Sequence, residues 1–169
     1  MSKAFTKDDD GAADAPLVLS RRAPLPAGSP NYVTPRGLAL LVAELAKEQV
    51  AAHSEPASDG EQARAVALAN ARRAELEARI ASAVVVDGAA QAHDEVRFGA
   101  RVKVRNLAGV ERTIHIVGVD EANPAELSLA FVAPIARSLL SKRVGDVASV
   151  KTPAGEDELE ILAISYDAT

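Results

Sequence analysis

The chain contains no cysteine. That single absence excludes disulfides, thiolate metal sites and a cysteine nucleophile together. Tryptophan is also missing, and aromatic residues make up only 3% of the 169 positions although 48% are hydrophobic. Much of the apolar content is alanine, which favours thin helix–helix seams and one compact aliphatic core. No run approaches the roughly 18 apolar residues that a membrane span needs. The opening "MSKAFTKDDD" is charged and has no apolar core, so no signal peptide is expected and the protein reads as cytoplasmic.

A basic tail is missing too. The net charge is −5, and no region reverses the sign strongly. Residues 1–34 hold four positive and four negative charges, residues 35–82 six and seven, and residues 83–169 nine and thirteen. A direct grip on nucleic acid through a basic surface is therefore not expected. His53, His93 and His115 are far apart and form no H-x-x-x-H grouping. The serines have no G-x-S-x-G setting, and no G-x-x-x-x-G-K loop is present to cradle phosphate. Neither a metal nor a cofactor is expected.

What is present divides into three parts. Residues 1–30 carry "DDD", "GAADAP" and "APLPAGSP", rich in Pro, Ala and Gly and without apolar periodicity, and they read as a flexible arm. Arg21 and Arg22 in it are free to touch an acidic partner. Order begins at "NYVTPRG", where Thr34 is a good N-cap, Pro35 suits the first helical position and Val33 can staple onto Leu38. From Pro35 to about His53 the pattern puts Leu38, Leu41, Val42 and Leu45 on one helix face. Pro56 ends that helix. Ser58 and Glu61 fit an S-x-x-E capping box for a second helix, which starts near Asp59 and runs to about Ser82 with Ala65, Ala69, Leu76 and Ile80 as its seam. The seams are narrow, so residues 31–83 read as an antiparallel helical hairpin projecting from a body.

After "AVVVD" the period changes from 3.6 to 2. "ARVKVRN" and "VERTIHIVGV" alternate around "LAG" and read as a β-hairpin, "LSLAFV" as a third strand, and "VASVKT" and "ELEILAISY" as a final hairpin around "PAGED". "PIARSLLSKR" reads as a helix opened by Pro134 and closed before Gly145. Residues 84–169 are thus expected to form an antiparallel sheet covered by one short helix, in a chain of the α+β class.

The stretch "PIARSLLSKRVGDVASVKTPAGEDELEILAISY", with "VRFGARVKVRN" and "RTIHIVGVDEA" before it, resembles the C-terminal domain of the Gre transcript-cleavage factors, GreA and GreB. "NYVTPRGLALLVAEL" looks like the family's Thr-x-x-Gly opening of its first helix, and "MSKAFTK" before a proline-rich arm looks GreB-like. The resemblance spans about residues 31–167. It implies an N-terminal antiparallel coiled coil and an FKBP-like C-terminal domain. It also implies that the partner is RNA polymerase, with the C-terminal domain docked at the rim of the secondary channel and the hairpin inside it. Nucleic acid would then be met only within the polymerase complex. The protein is expected to be a monomer, and not an enzyme by itself.

Two sites follow from the resemblance. The turn Ala133, Pro134, Ile135, Ala136 stands where the family has Ser-Pro-Ile-Ala on its polymerase-docking surface; as sequence alone it is a helix start with proline at the first position. Acidic residues at the family's hairpin tip help hold a catalytic magnesium. Here "SEPASDGEQ" supplies Glu55, Asp59 and Glu61. Glu61 stands over the family's working Glu, the family's Asp falls on Ser58, and its Tyr is missing. These carboxylates read as a solvated helix start favoured by the helix dipole, as a metal-directed tip, or as an acidic plug without chemistry. Each arm is also shorter than the family's by about two helical turns, roughly 11 Å of reach. Weak or no stimulation of transcript cleavage is expected, with competition for a shared docking surface as in the nucleoside diphosphate kinase regulator. An FKBP-like prolyl isomerase is the reading from another class, and Phe98, Phe131 and Tyr166 are the only aromatics in the body to line its pocket.

Overall fold

The computed structural model describes residues 22–51, 59–152 and 155–166. Its elements run β1 (Asn31–Val33), α1 (Pro35–Ala51), α2 (Asp59–Ala81), β2 (Ala83–Val85), β3 (Ala100–Asn106), β4 (Glu111–Val117), β5 (Ser128–Ala130), α3 (Pro134–Leu139), β6 (Val147–Thr152) and β7 (Gly155–Tyr166). The α+β class read from the sequence holds.

Helix α1 starts as its sequence dictates. Thr34 Oγ1 accepts from the Gly37 N–H at 2.8 Å, which satisfies one of the first-turn donors. Val33, Leu41 and Leu76 are buried together, with Leu38, Leu45 and Ile80 packed against them. Leu38, Leu41 and Leu45 recur at helical spacing, so α1 turns that stripe to α2. Val42, expected in the seam, lies 50% exposed beside the stripe, as does Leu40. Ala65 on α2 is exposed as well, so the buried seam is concentrated at the base, around Leu41 and Leu76. Alanine has too little side chain to fill a gap between helices, and the distal part of α2 stays open to solvent.

One element was not legible in the sequence. β1 and β2 pair in parallel, Asn31 against Ala83 through Val33 against Val85, and so join the start of α1 to the end of α2. Three residues without alternation carry no strand signature of their own. The Asn31 Nδ2 reinforces this base by donating to the Arg79 carbonyl at 2.9 Å.

The five-stranded sheet has the order β5-β4-β3-β7-β6. Both expected β-hairpins are present, β3 with β4 and β6 with β7, and β3 and β7 are also antiparallel neighbours. A register shift between Lys103 and Val104 bulges the β3–β7 pair and increases the local twist. The sheet is not wholly antiparallel as expected: β5 runs parallel to β4, His115 opposite Ser128. The chain reverses through two 3-10 turns, Val119–Glu121 and Pro124–Glu126, before β5 begins.

Ala100, Val102 and Val104 of β3, Ile114 and Ile116 of β4, Ala148 of β6 and Ile161 of β7 form the core, closed by Ala136 and Leu139 of α3. Residues Ile114 to Val117 are all buried. Successive side chains of a strand face opposite ways, so both faces of the sheet are covered at that end of β4. Helix α3 ends at Leu139, earlier than the pattern to Arg143 indicated, and Ser141 then takes a positive φ of 63°.

Candidate functional site

The turn into α3 is held by backbone bonds. The Ala133 N–H donates to Ala130 at 2.8 Å and the Arg137 N–H to Ala133 at 2.9 Å. After the helix, Ser141 N–H donates to Val96 and Val96 N–H to Lys142, both at 2.8 Å. Ala133 occupies the cap position without any side-chain cap bond, and Pro134 follows at the first helical position. Proline needs no N–H acceptor there, so the turn keeps its shape without a hydroxyl.

The four residues assigned to docking are not equivalent. Pro134 is exposed, Ala133 and Ile135 are half-buried against the core, and Ala136 is fully buried. Ala136 is therefore a core residue, and its assignment to a contact surface is corrected: position i+2 from Pro134 in a helix faces another way. Arg137 is exposed next to Pro134 and adds a charge to the presented edge. Such a surface offers shape and one cation; it contains no acid–base or nucleophilic pair.

Of the tip candidates, Glu55 lies outside the described residues. Asp59 is the first residue of α2, and Glu61 is exposed in the same first turn. Among the described residues, no group of three or more His, Asp or Glu side chains is placed to hold a metal ion.

The aromatics come together, but around a side chain. Tyr32, from β1, packs on Phe98 and Phe131 with ring centroids 5.7 and 5.6 Å away, and the two phenylalanines are 5.7 Å apart. The third aromatic of the body stands elsewhere: the Tyr166 ring stacks on His93, and its hydroxyl donates to Glu95 O at 2.8 Å and accepts from Arg97 N at 3.0 Å. Phe98 and Phe131 thus fix the hairpin base to the sheet.

A cluster of charge at this junction went unrecognised in the sequence. Thr34 Oγ1 donates to Glu121 Oε2 at 2.5 Å. Arg22 donates to Asp120 Oδ1 at 3.1 Å and pairs with Glu44 of α1, while Arg79 Nη1 stands 3.8 Å from Asp120 Oδ2. Burial opposes the Arg22 charge, yet its bonds to Glu44 and Asp120 hold the pKa above the ordinary arginine value. The partners are far apart in sequence and belong to different elements, so spacing carried no signal for them.

Residues 91–166 match the family described as transcription elongation factor, GreA/GreB, C-terminal. The chain is 41% identical over 92 residues to the transcription elongation factor GreB of Neisseria meningitidis serogroup A, covering 54% of this chain and 56% of that protein. It is 42% identical over 97 residues to GreA of Helicobacter pylori strain 26695, covering 57% and 59%. Among solved structures, the GreA factor homolog 1 protein of Thermus thermophilus overlays 81% of this chain and 99% of its own at 24% identity and a TM-score of 0.38. A GreA/GreB elongation factor from Nitrosomonas europaea overlays 80% and 98% at 20% identity and a TM-score of 0.41.

The sheet body and the turn before α3 lie within the residues that match the GreA/GreB C-terminal model. Residues 91–166 are thus similar to the C-terminal domain of the Gre transcription elongation factors. It spans somewhat over half the length of the curated relatives it matches.

Proposed function

We propose that the protein regulates transcription elongation by docking on RNA polymerase through its sheet body, with the helical hairpin directed into the secondary channel. The hairpin is on this reading an antiparallel coiled coil and the body FKBP-like. The observation that carries the proposal is the family match over residues 91–166, which includes a backbone-fixed turn with Pro134 exposed. The chemistry of that turn suits docking rather than catalysis, because it presents an apolar ring beside the cation of Arg137.

Within this reading the hairpin is a non-cleaving probe. At 1.5 Å per residue, α1 is about 26 Å long and α2 about 35 Å. Magnesium requires oxygen ligands at about 2.0–2.1 Å in near-octahedral geometry, so a carboxylate short of the metal by even a few ångströms contributes nothing as a direct ligand. The protein would occupy the docking surface and exclude true cleavage factors from it in proportion to its concentration over its Kd. Prolyl isomerisation has less support, since Phe98 and Phe131 pack on each other and on Tyr32, so that side chains already occupy the ring surfaces an apolar substrate would need.

The experiment is binding of the full chain to purified RNA polymerase core, compared with Pro134→Asp. Aspartate is well tolerated in the first turn of a helix, so the variant keeps its fold. A loss of affinity of tenfold or more is expected. Equal binding removes the α3 turn as the docking contact.

A further inference from the structure

Residues 22–30 form no regular element, yet their first two residues touch three others. Arg22 ion-pairs with Glu44 on α1 and with Asp120 in the 3-10 turn that leads to β5. The Ala23 carbonyl accepts from Arg79 Nη2 in the last turn of α2. Two consecutive residues thereby join both helices of the hairpin to the sheet body. The side chains are well covered, with Arg22 19%, Arg79 11% and Asp120 7% exposed. Of the arm read from the sequence over residues 1–30, residues 1–21 lie outside the described residues, and Arg22 and Ala23 are tied to the hairpin and the body.

We propose that residues 22–30 act as a strap that holds the hairpin in one orientation on the sheet body, with Arg22 as its pin. The physical basis is the buried carboxylate. Without Arg22, Asp120 retains among the described residues only Arg79 as an ionic partner, at 3.8 Å, beyond hydrogen-bond distance. Asp120 Oδ2 and Arg79 Nη1 are both buried without a hydrogen-bond partner among the described residues. A buried charge that loses its partner is strongly unfavourable, and hydration relieves it. Water reaches Asp120 when the 3-10 turn moves away from the hairpin base. Arg22 contact and hairpin orientation are therefore coupled. The Thr34–Glu121 bond and the Tyr32 packing keep the base attached, so the strap controls the spread of orientations rather than the attachment.

The absence of cysteine makes the test clean. Spin labels go on Ala67→Cys of α2 and Ser149→Cys of β6, both exposed positions, and pulsed electron paramagnetic resonance reads the distance distribution in the full-length free protein. A single narrow distribution is expected for the parent, and one at least twofold broader for Arg22→Gln with far-UV circular dichroism unchanged. Adding Asp120→Asn and Arg79→Gln to Arg22→Gln removes the buried charges of both signs and should restore the narrow distribution. A distribution for Arg22→Gln that superimposes on the parent overturns the proposal, as does a triple variant that stays as broad as the single. Because no polymerase enters the measurement, its result is independent of the docking site.

Discussion

Gly118 lies so close to Tyr32 that a Cβ on it would stand 2.7 Å from the Tyr32 carbonyl oxygen. Its φ of −65° is open to any residue, so the requirement for glycine is one of space, set by β1 crossing the end of β4. The contact lies where the hairpin base meets the sheet body. Gly37 repeats the arrangement one turn into α1, where a Cβ would lie 2.7 Å from Glu121 Oε2. Two glycines without any side chain thus allow the Thr34–Glu121 bond and the Tyr32 aromatic contacts to form.

Gly118→Ala should destabilise the chain by about 1–3 kcal/mol, the usual cost of forcing an extra carbon into packed surroundings. The clash is with backbone, which cannot rotate aside. Urea unfolding of the two proteins measures it, and equal midpoints at equal slope would mean that β1 does not pack this tightly in solution.

The Tyr166 hydroxyl gives a pH dependence with a definite sign. Burial pushes its pKa above the ordinary tyrosine value, and the hydrogen bond from Arg97 N–H only partly offsets this. A group whose folded pKa is raised contributes stability that is complete below its unfolded pKa, about 10, and is lost as pH rises through the folded value. The protein should therefore lose stability in the alkaline range above pH about 10, where ionised tyrosine is disfavoured in the folded state. Tyr166→Phe should be less stable than the parent at neutral pH by about 1–3 kcal/mol, because the Arg97 N–H and Glu95 carbonyl lose their partner. Its alkaline loss should be shallower. Thermal melts of both proteins from neutral to alkaline pH check this, and parallel profiles would contradict it.

Periodic elements were legible in the sequence, and irregular ones were not. Leu38, Leu41 and Leu45 marked α1, and the alternation of Val102, Val104, Ile114 and Ile116 marked the central strands, because a repeated burial pattern identifies a long element. Pro134 marked the start of α3 through its fixed φ and missing N–H. The β1–β2 ladder escaped notice because three residues are too few to show a period. Val42 was misplaced because the helix buries only a narrow stripe, and a residue one position from Leu41 falls outside it. Ala136 fitted the family's docking motif but lies in the core, since a motif records which residues recur and not which of them face solvent. The Arg22–Asp120 pair depends on a tertiary approach across 98 positions, and no local rule contains it.

The central proposal is that the protein docks on RNA polymerase through its sheet body while its hairpin supplies no effective metal ligand. Shortening of the transcript in backtracked elongation complexes tests it directly, with the parent, the combined variant Glu55→Ala, Asp59→Ala and Glu61→Ala, and a genuine cleavage factor added in competition. The account predicts no shortening above the intrinsic rate with either protein, and suppression of the cleavage factor by both to the same extent. Rapid shortening by the parent that is abolished in the combined variant would contradict it, and would show that the acidic tip reaches the catalytic metal.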